Sequence, residues 1–293
     1  MHPFDDRLNV ALPPAHSNDM IWHYTSLAGA LGILSTNTLH LGSARMLNDT
    51  GELDYGLTFI QRRLEALITA DRRFAAFAKQ LRWIVEGAAA DDEEIFVGCA
   101  STQADSLSQF RGYGVYAICA NAGMALRTAN SVDEDYSMVT AIDEFVSEWR
   151  PVIYETKRAH QHVDRVLDAL LVQCREWPTD DDDAEMIESL LASARVTACA
   201  AFLKHPAFSD EHEVRIIASA DLRSTSVGVK AGRLGMTPYV AVRAKTQGQT
   251  FIHDVRVGPG IPDEPTALYG LKRTLDKFGF NNITPTAVSI PYR

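Results

Sequence analysis

Residues 21–41 read IWHYTSLAGALGILSTNTLHL, and the fold class turns on how this stretch is parsed. Its pattern predicts a short strand over 21–24, a helix over 26–35 with Leu27, Leu31 and Leu34 on one face, and a second strand over 38–41. Strand, helix and strand in so short a space make a compact α/β opening. The first strand ends in Trp22-His23-Tyr24-Thr25, which sets an imidazole, a phenol and a hydroxyl where the chain turns into the helix.

Further along, Asn48-Asp49-Thr50 supplies capping chemistry for a helix beginning near Gly51, with Leu53, Leu57, Ile60 and Leu64 at helical spacing. A second helix is expected over 72–86. The acidic run at 91–94 reads as a loop before a strand over 95–100 that ends in Ser101-Thr102, and 115–119 reads as the next buried strand. A long helical section follows over about 141–177, interrupted or begun at Pro151. A second acidic run at 180–183 suits a helix start, and a further helix is expected over 184–203. From Glu213 the pattern turns to β, with strands expected over 214–218, 226–229, 239–242 and 252–257, then a helix over 265–278 and a last strand over 287–290. There is no internal repeat and no Ser- or Gly-rich linker. The expectation is one α+β domain over 1–293 with a helical insertion at about 130–205.

With 293 residues, 46% of them hydrophobic and 23% charged, the chain can bury a substantial core. Its start lacks a basic segment followed by an apolar stretch, and no later run approaches the roughly 20 apolar residues of a membrane span. A cytoplasmic protein is the expectation. Cys99, Cys119, Cys174 and Cys199 lie far apart with no CxxC pair, so they read as reduced, buried thiols rather than as a zinc ribbon or dithiol site. A net charge of −10 argues against broad affinity for phosphate backbones, though a local basic groove stays open.

Three polar motifs stand out. Strand alternation places His23 and Thr25 on one face, able to grip a ribose hydroxyl and a carboxamide while Tyr24 or another ring stacks on a base. They also read as a Thr cap beside a satisfied core histidine. Asp105-Ser106-Leu107-Ser108-Gln109-Phe110-Arg111-Gly112-Tyr113-Gly114 is the densest polar stretch, with glycines for close backbone approach and Arg111 for bidentate phosphate pairing. Its other reading is a short helix capped by Asp105 and Ser106, with Arg111 bonding a carboxylate. Glu211-His212-Glu213-Val214-Arg215 opens a strand, and Glu211, Glu213 and Arg215 share a face if it is extended. Such a cluster has perturbed acidity and suits a site; on an edge strand it would be a solvated ion pair. His160, Gln161, His162 and Asp164 resemble metal-ligand spacing, but residues two apart on a helix do not face each other, so an exposed helix face and no metal is expected. GxGxxG, the Walker lysine motif, HExxH and GxSxG are all missing from the sequence.

These blocks, in this order, resemble the bacterial family called domain of unknown function 2971. The resemblance rests on Trp22-His23-Tyr24-Thr25-Ser26, Leu47-Asn48-Asp49 with Glu52, the 105–114 block, residues 204–215, Val257-Gly258-Pro259 and the closing Ser289-Ile290-Pro291-Tyr292-Arg293. It runs nearly end to end, with Phe110 where a Trp is expected, and it leaves the roles of Asn48, Asp49 and Glu52 open. More remotely, the opening is similar to that of bacterial ADP-ribosyltransferases, including DNA-modifying toxins of the DarT kind. There an early His or Arg holds the nicotinamide-side ribose, a middle strand ends in Ser or Thr, and a late strand carries a Glu. His23, Ser101-Thr102 and Glu211-His212-Glu213 follow that order.

This second likeness implies a mixed, mostly antiparallel sheet and an enzyme that cleaves NAD and transfers ADP-ribose to a protein or nucleic acid, as a toxin or phage-defence effector. Glu213 would stabilise the oxocarbenium-like transition state and Glu211 would orient or deprotonate the acceptor. His23, Tyr24, Thr25, Ser101, Asp105, Ser106, Gln109, Arg111, Tyr113 and Arg215 would hold the NAD, without a metal. Two alternatives accompany it: a non-catalytic module binding a nucleotide, nucleic acid or protein partner, and a metal-independent nuclease using His23 and Arg111.

Overall fold

The structure, a computed structural model, describes residues 8–17, 19–47, 51–88, 93–129, 145–177, 182–232 and 235–290. The capping run Asn48-Asp49-Thr50, residues 91–92 and 180–181 of the acidic runs, the expected helix start near 141 and the closing Pro291-Tyr292-Arg293 lie outside these residues.

The opening folds as β1 (Met20–Thr25), α1 (Leu27–Thr36) and β2 (Leu39–Ser43). Ser26 caps α1 by accepting from the Gly29 amide, and Asn37 ends it in a left-handed conformation at φ 50°. The face that α1 buries is Ala30, Ile33 and Leu34, while Leu27 and Leu31 are exposed, against expectation. Every position from 27 to 34 is apolar or glycine, so apolar spacing selects no face. Helix α2 (Gly51–Ala70) buries Leu53, Ile60 and Leu64 as its period predicts. The expected second helix is two, α3 (Arg72–Ala76) and α4 (Ala78–Gly87), because Phe77 leaves the helical region at φ −115°.

Strand β3 (Glu93–Ser101), α5 (Leu107–Tyr113), β4 (Tyr116–Asn121) and β5 (Leu126–Thr128) follow. Next come two short strands, β6 (Phe145–Val146) and β7 (Arg150–Pro151), where helix was expected. The backbone there bonds across to a distant strand, Ser147 N to Ile217 O and Val152 N to Glu213 O, instead of back along itself. Helices α6 (Thr156–Arg175) and α7 (Asp182–Ala200) precede β8 (Glu213–Asp221), β9 (Val227–Gly232), β10 (Gly235–Ala244) and β11 (Ile252–Val257). The described chain closes with α8 (Glu264–Lys277) and β12 (Thr286–Ala287).

Among the described residues all twelve strands belong to one sheet, antiparallel except where β12 joins β11. Strand β3 is its branch point. One edge pairs with β8 from Glu93↔Asp221 to Ser101↔Glu213. The other edge meets two strands: β2 at Gly42↔Val97 and Ser43↔Phe96, and β1 at Trp22↔Ser101. Beyond β1 lie β4 and β11; beyond β2 lies β10, flanked by β5 and β9. The sheet therefore forks beside Gly98, Cys99 and Ala100.

Helices α2, α4, α6 and α7 cover one face, packing Ile60, Leu64, Leu81, Val163, Leu167 and Val196 against Val97 and Ile217. The expected insertion, α6 and α7, is thus part of the same layer as α2; an added Cβ at Gly56 would lie 2.3 Å from the Ala200 carbonyl oxygen, so α2 and α7 meet backbone to backbone. On the opposite face α1 and α8 cover Ile21, Leu41, Phe96, Ile118, Val240 and Val255. His162 is buried in the helical layer's α6 rather than on an exposed face, and Asp164 pairs with Arg63 at 2.6 Å. No helix among the described residues is long and apolar enough to cross a membrane.

Candidate functional site

The fork opens a cleft of 570 Å³, within the usual range for small-molecule sites. Residues from all three polar motifs line it: His23, Tyr24 and Thr25, Gln109 and Tyr113, and Glu211, Glu213 and Arg215.

Its acidic wall is a closed network. Glu213 and Arg215 alternate on β8 with both side chains on the same sheet face, and β8 is paired on both edges, so this is no solvated edge strand. Arg215 Nε donates to Glu213 Oε1 at 2.7 Å and its Nη2 to Oε2 at 2.9 Å; Nη1 donates to the Ala201 carbonyl. Nη2 also pairs with Glu52. Lys204 Nζ reaches Glu52 and Glu213, each at 3.0 Å, and Glu211 at 2.5 Å. Side-chain exposure is 2% for Lys204, 7% for Glu213 and 1% for Arg215, so these charges persist only by pairing with one another. Glu52, Glu211 and Glu213 face two cations, which leaves one net negative charge in the wall.

Glu211 does not sit on the strand as expected. It ends a 3-10 turn over Pro206–Glu211, and His212 swings the chain into β8 through a left-handed conformation at φ 46°. Ser101 is not a ligand group either: it is buried and donates to the Glu211 carbonyl at 2.7 Å, holding the turn. Burial would raise the Glu213 carboxyl, but Arg215 and Lys204 hold it down at about 2. For Glu211 burial wins over Lys204, helped by the neighbouring Glu213 and Glu52, and its carboxyl is raised. Cys99 is pushed well up by burial and the nearby Glu213, which leaves its thiol protonated and inert.

These directions set a pH dependence. Glu213, lowered from 4.5 to about 2, contributes stability that is complete above the unfolded value and is lost as pH falls through the folded one. Glu211, being raised, works with the opposite sign. Urea unfolding between pH 5 and pH 2 should show a loss on the order of 3 kcal/mol attributable to Glu213, and Glu213→Gln should flatten that slope. An unchanged slope in the variant would refute the assignment.

His23 sits at the fork. By register it lies opposite Ile118, on the face away from Glu213, and it enters the cleft because β1 and β2 part there. Its Nδ1 lies 2.8 Å from the Cys99 carbonyl, beside the stretch of β3 that the fork leaves unpaired. Burial lowers the imidazole, the Cys99 hydrogen bond opposing it. A neutral ring must carry its proton on Nδ1 to donate to a carbonyl, so Nε2, which has no partner among the described residues, is an acceptor. Thr25 shares this side and packs over Gly29, where an added Cβ would lie 2.0 Å from its Oγ1.

Tyr24 is not a stacking platform. Its ring is buried edge-on to Phe110 at 4.8 Å; its hydroxyl donates to the Gln103 carbonyl at 2.6 Å and accepts from Ser106 N at 3.0 Å. The 105–114 block is largely structural as well. Ser106 caps α5 by accepting from Gln109 N, and Asp105 pairs with Arg256 at 2.8 Å, whose guanidinium lies 4.2 Å over Trp22. Arg111 is exposed and does not line the cleft, so the structure does not bring it to His23 as the nuclease alternative needs. Only Gln109 and Tyr113, one helical turn apart, face the cleft. The buried Gln109 amide group makes no side-chain hydrogen bond with another described residue. Burial, with Cys99 and Glu211 nearby, raises the Tyr113 phenol.

Sequence reasoning missed Lys204, one of the two cations on Glu52; Lys204 fell inside the 204–215 block without a role. It also missed Lys230, His40 and Tyr239 on the strands across the cleft. Among the described residues no group of three His, Cys, Asp or Glu side chains is placed to hold a metal ion. No family model matches the chain, and neither does any curated protein or solved structure.

Proposed function

We propose that this chain is an ADP-ribosyltransferase-like enzyme that cleaves NAD in the forked cleft and transfers ADP-ribose to a macromolecular acceptor, and that it is a member of the family called domain of unknown function 2971. The observation that carries the reading is the acidic wall: a carboxylate fixed in its ionised form, Glu213, beside the half-buried Glu211, both on a cleft of dinucleotide-compatible size.

Glu213 has both oxygens engaged by Arg215 and Lys204, so its part is to fix the wall's charge. Glu211 offers a free oxygen, since Lys204 holds only Oε2. In the reaction the C1′–N bond breaks and its electron pair leaves with nicotinamide, which becomes neutral. Positive charge spreads over C1′ and the ring oxygen of the ribose, and the net negative wall stabilises it. The acceptor then bonds to C1′ and passes its proton to Glu211. His23 Nε2 accepts from a ribose hydroxyl, the Gln109 amide meets the carboxamide, and Tyr113 flanks the ring. Incubation with NAD should release nicotinamide, detected by chromatography. No release with cell extract added, together with no heat of NAD binding, would end this reading.

A second reading draws on the same network. Because Arg215 and Lys204 neutralise most of the acidic charge, the cleft also suits a nucleotide-binding module that performs no chemistry. NAD binding without nicotinamide release would select it.

A further inference from the structure

The cleft has a second wall, built on β2, β9 and β10. Register places it on the same face of the sheet as the acidic network: Glu213 lies opposite Ser101, Gly42 opposite Val97, Tyr239 opposite Gly42 and Lys230 opposite Thr237. Strands β3, β2 and β10 stand between β8 and β9. Four strand spacings make roughly 19 Å along the sheet.

At this end Tyr239 lies flat, its ring across Gly228, where an added Cβ would come within 2.7 Å of the phenol. His40 stacks on the ring at 3.9 Å, and Lys230 Nζ stands 5.4 Å from its centroid. No described carboxylate pairs with Lys230, although the chain holds 38 acidic residues against 28 Lys and Arg. An ammonium half-buried in the cleft wall beside a ring face, with no described carboxylate on it, is incompletely compensated. Burial lowers Lys230 accordingly, and burial together with Lys230 holds His40 at about 4. Both groups line the open cleft, and opposite Tyr239 the residue is Gly42, which leaves the floor clear.

We propose that Lys230, with His40 and Tyr239 behind it, is the pyrophosphate-receiving wall of the cleft. The proposal deepens the NAD reading and, for the identity of the ligand, rests on it. The two walls then fix the ligand's direction: the electron-poor nicotinamide ring goes to Glu211, the pyrophosphate to Lys230. An anion here meets one unpaired cation and the neutral His40 imidazole, whose N–H donates; at the other end it would meet net negative charge. No chemistry occurs at Lys230, which positions the ligand through its charge.

Calorimetry with three probes tests this. Inorganic pyrophosphate and ADP-ribose should bind the wild-type protein, and Lys230→Met should weaken both at least tenfold while Lys230→Arg stays within threefold. Nicotinamide riboside, which carries no phosphate, should bind wild type and Lys230→Met alike. If pyrophosphate fails to bind, or binds Lys230→Met as well as wild type, the proposal is wrong. Lys230-dependent binding of a short single-stranded oligonucleotide but not of pyrophosphate would also overturn it, in favour of a nucleic-acid backbone. The two readings fail separately. Lys230-dependent pyrophosphate binding without nicotinamide release keeps the wall and removes the activity, and nicotinamide release indifferent to Lys230→Met does the reverse.

Discussion

Arg215→Met is expected to lower the unfolding free energy by ~3–5 kcal/mol, the range for removing one partner of a buried ion pair. The cost comes from what is left behind. Glu213 loses both guanidinium hydrogen bonds, Glu52 loses its Arg215 contact, and three carboxylates then face Lys204 alone. The Ala201 carbonyl also loses its donor. Urea unfolding followed by tryptophan fluorescence measures the loss. The double replacement Arg215→Met with Glu213→Leu should cost less than Arg215→Met alone, because it removes the stranded charge as well as its partner. If the single variant loses under ~1 kcal/mol, the network contributes no such coupling.

That network shows how far the sequence could be read. Glu213 and Arg215 were legible because strand alternation is a local rule, and they do share a face. Their other partners were not. Glu52 meets Arg215 across 163 residues, and Lys204 reaches the same carboxylates from the loop after α7; nothing periodic links such positions. Alternation also contained a warning about Tyr24, which must point away from His23, into the space under α5 that Phe110 fills.

Most elements followed from patterning, and their arrangement did not. β1, α2 and β8 fall where their periods put them, whereas the fork depends on β3 sharing one edge between β1 and β2. That choice is settled by long-range pairing and is invisible to any local window. It matters for function because the parting of the strands exposes the Cys99 carbonyl to His23 and opens the cleft. The mixed, mostly antiparallel sheet was expected. The short strands β6 and β7 were not, since their hydrogen bonds belong to the distant β8. The wall of Lys230, His40 and Tyr239 escaped for the same reason: on their separate strands the three look like ordinary alternating positions.

The largest expected effect on activity belongs to Glu211→Gln. Glutamine keeps the shape, and its side-chain oxygen still accepts from Lys204, but the wall's one net negative charge is gone. Without that charge the developing cation on the ribose loses its electrostatic partner, a loss of about 100–1000-fold in nicotinamide release, or ~3–4 kcal/mol of barrier. Binding of ADP-ribose should change little, because the interaction strengthens only as the bond breaks. Stability should hold within ~1 kcal/mol, since no buried cation is stranded: Lys204 retains Glu52 and Glu213. Glu213→Gln differs in kind. It removes the buried carboxylate that Arg215 meets through Nε and Nη2 and leaves that guanidinium only Glu52, so stability and turnover should fall together, and only the Glu211 variant separates chemistry from architecture. Should Glu211→Gln keep nicotinamide release within tenfold of wild type, Glu211 is not the group that meets the substrate.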